Sequence, residues 1–98
     1  MATITLCHKG AMVADETAVG NGEYLVALAT GTNTYTLPVG APLYYHFWIV
    51  ANGASAQTIA AGTGETLVGD TATGADNDVI HVFRSGATEW TGSLTPAT

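Results

Sequence analysis

The chain has 98 residues, a formal net charge of −6 and only two cationic side chains, Lys9 and Arg84. This length is typical of one domain, and two cations are too few for nucleic-acid binding or for attachment to an anionic membrane. The single cysteine, Cys7, excludes an internal disulfide and a cysteine-based metal cage.

The composition indicates a small hydrophobic core. Alanine, threonine and glycine account for 16, 16 and 12 residues, whereas leucine, isoleucine, valine and phenylalanine together number 21. A short chain of this kind gains stability from self-association, because a partner interface adds buried apolar surface. The apolar start of the chain is too short for a signal peptide and is interrupted by Thr3 and Thr5. Together with the single cysteine, this predicts a chain that is made in a reducing cytoplasm or held together by assembly.

The predicted strands follow one another at short intervals along the chain. The first covers residues 2–8, where Ile4 and Leu6 alternate with polar residues. Residues 11–20 are bounded by glycines and are predicted to be a loop. The same alternation, with flanking turn residues, predicts seven further strands. They cover residues 23–29, 34–37, 43–51, 57–60, 65–68, 78–84 and 88–94.

The strand at residues 43–51 is the most apolar of these, and both of its faces are large. One face carries Leu43, Tyr45, Phe47 and Ile49. The other carries Tyr44, His46, Trp48 and Val50. Because a thin domain can cover only one such face with its own core, we expect a neighbouring subunit to cover the second.

These elements predict one all-β domain over residues 1–98. We expect a small β-sandwich, jelly roll or barrel of about seven or eight short antiparallel strands. Residues 1–10 are predicted to include an N-terminal arm strand that extends the sheet of a partner. Residues 95–98 are predicted to be a frayed tail.

Three histidines are candidates for metal binding: His8, His46 and His81. None lies at a spacing typical of a metal-ligand motif. His46 and His81 lie on central strands and can approach each other across a sheet, or copies can meet on a symmetry axis. A hydrogen-bonded histidine at a sheet or subunit interface is favoured over a metal site.

Other candidate groups also favour structural roles. Asp70, Asp76 and Asp78 surround a glycine-bearing loop, but their spacing differs from the EF-hand pattern, so a solvated turn is favoured over a calcium site. Cys7 and His8 are adjacent on a strand and point to opposite faces, which argues against a nucleophile–base pair. We therefore predict no enzymatic activity, no bound metal and no cofactor.

Aromatic residues cluster at 44–48 and recur at Trp90. Such rings can stack on sugars, but aromatic residues that alternate along a strand are more typical of core and interface packing. Packing is therefore favoured, with glycan binding as the alternative.

Several short motifs in the second half of the chain occur together in a known type of domain. They lie at residues 34–38, 45–53, 57–59, 62–66, 78–82 and 89–90. In this order they resemble a β-domain that recurs in virion proteins of tailed bacteriophages. The resemblance covers about residues 34 to 91 and depends on these motifs rather than on one signature.

The resemblance implies a capsid decoration (cement) protein, a head fibre or a tail-fibre segment, usually a homotrimer. For so short a chain we favour decoration: a homotrimer on the outer capsid surface, made in the host cytoplasm, that binds the major capsid protein and stabilises the phage head. The alternative is a carbohydrate- or receptor-binding module of a head or tail fibre. The subunit or coat interface is predicted at Thr3, Thr5, Tyr44, His46 and Trp48.

Overall fold

The structure is a computed structural model that describes residues 3–12, 16–26, 31–53 and 55–96. Within these ranges it contains nine strands and no helix, and hence no helix long and apolar enough to cross a membrane. The strands are β1 (Thr3–His8), β2 (Glu16–Val19), β3 (Tyr24–Val26), β4 (Asn33–Thr36), β5 (His46–Val50), β6 (Gln57–Ala60), β7 (Thr66–Gly69), β8 (Val79–Gly86) and β9 (Glu89–Thr95). The prediction of an all-β chain is confirmed.

The strands form two sheets. Sheet A has the order β2-β1-β4-β6, and all of its pairs are parallel. Sheet B has the order β3-β5-β8-β9-β7, in which β5–β8 and β8–β9 are antiparallel and the two edge pairs are parallel.

The prediction of antiparallel strands throughout is therefore wrong. The chain repeatedly leaves one sheet for the other and returns in the same direction, as when β5 of sheet B separates the parallel strands β4 and β6 of sheet A. Direct hairpins within one sheet would give antiparallel pairs, and β8–β9 is such a hairpin.

Several predicted boundaries shift. Residues 11–20 were expected to be a loop but contain β2, a four-residue edge strand that pairs only with β1. The strand predicted at 43–51 begins at His46, because Tyr44 has a φ of 67° and the Tyr45 amide donates to the carbonyl of Pro42 in a turn. Parts of four predicted elements lie outside the described residues: residues 1–2 of the arm, 13–15 of the loop, 27–29 of the strand at 23–29, and 97–98 of the tail. Thr95 belongs to β9 rather than to a tail.

The predicted N-terminal arm strand at residues 1–10 contains β1, which lies within sheet A. β1 pairs with β4 through Thr3–Thr5 and with β2 through Thr5–His8, so of its described residues only Thr5 has register partners on both sides. Tyr45 holds the end of this strand in place, since its hydroxyl donates to the carbonyl of Val19 and accepts the amide hydrogen of Lys9.

Both sheets contribute to one hydrophobic core. Its largest fully buried apolar residues are Leu6, Tyr35, Leu37, Phe47, Ile49, Ile80, Val82 and Trp90. Phe47 and Ile49 of β5 are completely buried, which confirms that one face of this strand belongs to the chain's own core.

A buried ion pair lies beside this core. The Arg84 guanidinium donates two hydrogen bonds to the Glu65 carboxylate, at 2.6 and 2.8 Å, and lies 5.4 Å from the centre of the Trp90 ring. The side chains of Arg84 and Glu65 are only 1% and 4% exposed. Glu65 also accepts hydrogen bonds from the Trp90 indole at 3.2 Å and from the Gly40 amide at 3.0 Å. Glu65 lies in the turn that precedes β7, and its carboxylate therefore connects this turn to β8 and β9.

This pair makes the protein sensitive to acid. The hydrogen bonds from Arg84 hold the pKa of Glu65 below its usual value of about 4.5, although burial acts in the opposite direction. Because the folded state holds this proton more weakly than the unfolded state, the stabilisation is complete above the unfolded pKa and is lost as the pH falls through the folded one. We expect the free energy of unfolding, measured by urea titration between pH 7 and pH 3, to fall less steeply with acid in Glu65→Gln than in the unaltered chain. Glu23→Gln, which changes an exposed carboxylate, is the control for the loss of one negative charge.

Candidate interaction face

The outward side of sheet B carries a row of aromatic side chains on adjacent strands. We call the surface formed by Tyr24, His46, Trp48, His81 and Phe83 the aromatic face. It arises because side chains alternate along a strand: Phe47 and Ile49 point into the core, so His46 and Trp48 point outward and are half-buried. Trp48 is opposite Tyr24 of β3 and opposite His81 of β8, which places the three rings in one row.

The rings of this row touch one another. Tyr24 and Trp48 stack with ring centroids 5.0 Å apart, and Trp48 and His81 stack at 4.6 Å. Phe83 extends the row, with its centroid 5.9 Å from that of His81. Tyr24 is 63% exposed and its neighbour Val26 is 62% exposed, so the row is open to solvent at the β3 edge.

The aromatic face is also poor in charge. Strands β3 and β5 contain no Asp, Glu, Lys or Arg, and the only such residue of β8 is Arg84, which is buried beneath the sheet. On a chain whose net charge is −6, this is a surface where a second acidic molecule meets little direct repulsion.

A histidine pair lies within the face. Nδ1 of His46 and Nε2 of His81 are 3.0 Å apart, with the two rings nearly perpendicular at 89°. The expected approach of these histidines across a sheet is thus confirmed. Burial lowers the pKa of His81, and the nearby His46 lowers it further, so the neutral form of His81 is favoured.

The predicted interface residues do not form a single surface. His46 and Trp48 lie on the aromatic face of sheet B, whereas Thr3 and Thr5 lie on β1 of sheet A, in register with threonines of β4. Tyr44 lies in the loop before β5 and is 73% exposed. Sequence reasoning missed Tyr24, His81 and Phe83 as neighbours of Trp48, because alternation shows which side chains share a strand face but not which strands pair.

The acidic residues of the loop before β8 bind backbone amides. Asp78 accepts hydrogen bonds from the amides of Gly74 and Ala75, both at 2.9 Å, which confirms its interpretation as a turn residue. Asp76 accepts from the Gly53 amide and Asp70 from the Leu94 amide, so the three carboxylates serve different loops.

Two further sequence candidates are buried. Cys7 is 3% exposed, and burial raises the pKa of its thiol, with the nearby Glu16 carboxylate acting in the same direction, so the reactive thiolate is disfavoured. Trp90 is completely buried and cannot stack on a sugar, which removes one of the aromatic residues considered for that role.

No protein-family model matches the chain, and no curated protein matches it. The functional inference therefore starts from the aromatic face and from the sequence motifs at residues 34–91.

Proposed function

We propose that the chain is a structural protein of a tailed-bacteriophage virion: a capsid decoration (cement) protein that forms a homotrimer on the outer capsid surface. In this proposal the two sheets make up a small β-sandwich. The observation that carries the proposal is the aromatic face, a preformed row of rings outside the core, on a chain with virion-like sequence motifs. Aromatic residues in charge-poor patches are typical of the centres of protein interfaces.

A second copy of the chain is the occupant that the charges favour. Within the described residues, strands β3, β5 and β8 carry no acidic side chain, so two copies that meet through these strands avoid direct contact between like charges. The face also supplies the apolar burial that a chain with few large apolar residues needs from an interface.

The proposed stabilisation of the phage head is a binding effect. A trimer that binds the assembled shell, but not free coat subunits, shifts the equilibrium towards the shell by mass action. Three contacts on one trimer act together through their high effective concentration, so each of them can be weak. Since β1 lies between β2 and β4 in sheet A, Thr3 and Thr5 would contact the coat through their side chains and not through strand addition.

The proposal predicts that the aromatic face controls the mass of the protein in solution. We expect sedimentation velocity of the untagged chain to show a trimer, and Trp48→Thr to shift it to a monomer. Tyr24→Thr, at a 63% exposed position, should have the same effect without disturbing the core. Phe47→Leu is the matched control: it changes the adjacent residue on the buried face of β5 and should leave the trimer intact.

Co-sedimentation with heads assembled from the coat protein of the same genome tests the second part of the proposal. The trimer should bind the heads and raise their midpoint of thermal disruption. A chain that is monomeric at about 100 µM and ignores the heads would overturn the proposal, as would a Trp48→Thr variant that trimerises normally.

Exposed tyrosines favour a second candidate function, a glycan- or receptor-binding module of a phage fibre. Tyr24 stacks on Trp48 with its other side open, and Tyr44 is 73% exposed. Stacking on sugar rings would change the fluorescence of Trp48 saturably in a titration with mono- and oligosaccharides. Such a change in a monomeric chain would favour this candidate over decoration.

A further inference from the structure

We propose that His46 and His81 form a binding site for a divalent late transition-metal ion, with Cu²⁺ bound most tightly. The site lies on the aromatic face and joins β5 to β8. Both ligands come from one copy of the chain. Because the proposed trimer would cover this face, the site is tested on a monomer, either the unaltered chain if it is monomeric or otherwise Tyr24→Thr, which keeps both histidines and Trp48.

The spacing of the two ring nitrogens fits two adjacent positions around one metal ion. Metal–imidazole bonds are about 2.0–2.1 Å long. Two such bonds at a right angle place the nitrogens about 2.9 Å apart, and two at the tetrahedral angle about 3.3 Å apart. The observed separation between Nδ1 of His46 and Nε2 of His81 is 3.0 Å, closest to the right angle that Cu²⁺ and Ni²⁺ prefer.

The backbone and the neighbouring rings hold both imidazoles in position. The His46 amide donates to the Asn21 side chain at 3.0 Å, and the His46 carbonyl accepts from the Gly22 amide at 2.7 Å. The His81 ring is stacked on Trp48 at 4.6 Å. Little side-chain freedom is therefore lost when a metal ion binds.

When both rings are neutral, metal binding releases no proton to the solvent. In the neutral pair, the hydrogen that lies between the two facing nitrogens belongs to one ring. It moves through solvent to the other nitrogen of that ring, which leaves two lone pairs for the metal ion. Imidazole nitrogen is the ligand that Cu²⁺, Ni²⁺ and Zn²⁺ share. Within the described ranges no cluster of three His, Cys, Asp or Glu residues completes a cage, so water would occupy the remaining positions.

Tryptophan fluorescence provides a direct test, because Trp48 is in contact with His81 while Trp90 lies inside the core. We expect titration of the untagged chain with CuCl₂ to quench Trp48 saturably at one ion per chain, with reversal by EDTA. Ni²⁺ should bind more weakly than Cu²⁺. His46→Gln and His81→Gln should each reduce the affinity for Cu²⁺ by at least about tenfold. Loss of a residue that only orients a metal ligand already reduces metal affinity by about that factor.

His8→Gln is the matched control, since His8 is the third histidine and lies on sheet A. It should bind Cu²⁺ as the unaltered chain does. Equal quenching in the double variant His46→Gln/His81→Gln, with circular dichroism showing that it is folded, would overturn the site. Absence of saturable quenching in that monomer would overturn it as well.

Discussion

Replacement of Arg84 by methionine is expected to lower the free energy of unfolding by about 3–5 kcal/mol. Methionine fills much of the volume of the arginine stem but leaves the Glu65 carboxylate, only 4% exposed, without its two guanidinium donors. An unpaired buried charge is far more costly than a missing apolar contact. Small domains have a total stability of about 5–15 kcal/mol, so urea unfolding should show a much lower midpoint.

A second substitution separates the cost of the stranded charge from the loss of packing. Arg84→Met/Glu65→Gln removes the charge but keeps an oxygen that can accept from the Trp90 indole. We expect this double variant to be more stable than Arg84→Met alone, although it carries more changes. The Nε of Arg84 has no acceptor in the part of the chain that the structure describes. This unsatisfied donor lowers the stability that the intact ion pair contributes relative to a neutral replacement.

An exposed ion pair serves as the control for Arg84. Lys9→Met breaks the contact with Glu23, where the side chains are 73% and 61% exposed, and should cost no more than about 1 kcal/mol. A similarly small effect for Arg84→Met would contradict the burial of the pair. So would a double variant that is less stable than the single one.

The position of Arg84 was partly predictable from the sequence, but its partner was not. Alternation along residues 78–84 places Arg84 on the same side as Ile80 and Val82, both of which are completely buried. Glu65 follows a glycine-rich turn 19 residues earlier in the chain. No local pattern connects the two, because their contact depends on the order of strands in sheet B.

The same limit applies to the aromatic face. The alternation at residues 43–51 correctly predicted a buried side with Phe47 and an outward side with Trp48. The stacking of Tyr24 on Trp48 results from the parallel pairing of β3 with β5, and periodicity carries no information on strand direction. The strands in the parallel pairs have only three to seven residues and are joined by glycine turns, so the sequence leaves many pairings open and does not predict the parallel ones.

The pairing of β7 with β9 depends on glycine at position 92. Gly92 is the register partner of Gly69, and a Cβ atom on Gly92 would lie well inside 3.0 Å of the Asp70 carbonyl oxygen, a separation that real Cβ atoms essentially never show. The obstacle is backbone, which cannot rotate away as a side chain can. Gly92 does not have a positive φ, so the cost of a side chain there is steric and not conformational.

We therefore expect Gly92→Ala to destabilise the protein by about 3 kcal/mol, the upper end of the usual cost of overpacking. Gly74→Ala is the control, because its Cβ would first meet the Asp78 carboxylate at an ordinary 3.9 Å, and it should have little effect on urea unfolding. Hydrogen exchange should show where the strain is relieved: the amide of Asp70, which donates to the Gly92 carbonyl at 3.0 Å, should lose protection in Gly92→Ala. The β5–β8 pair is separated from β7 by β9, so its amides should keep their protection. Equal stability of the two alanine variants would show that β7 and β9 do not approach each other as closely as this register requires.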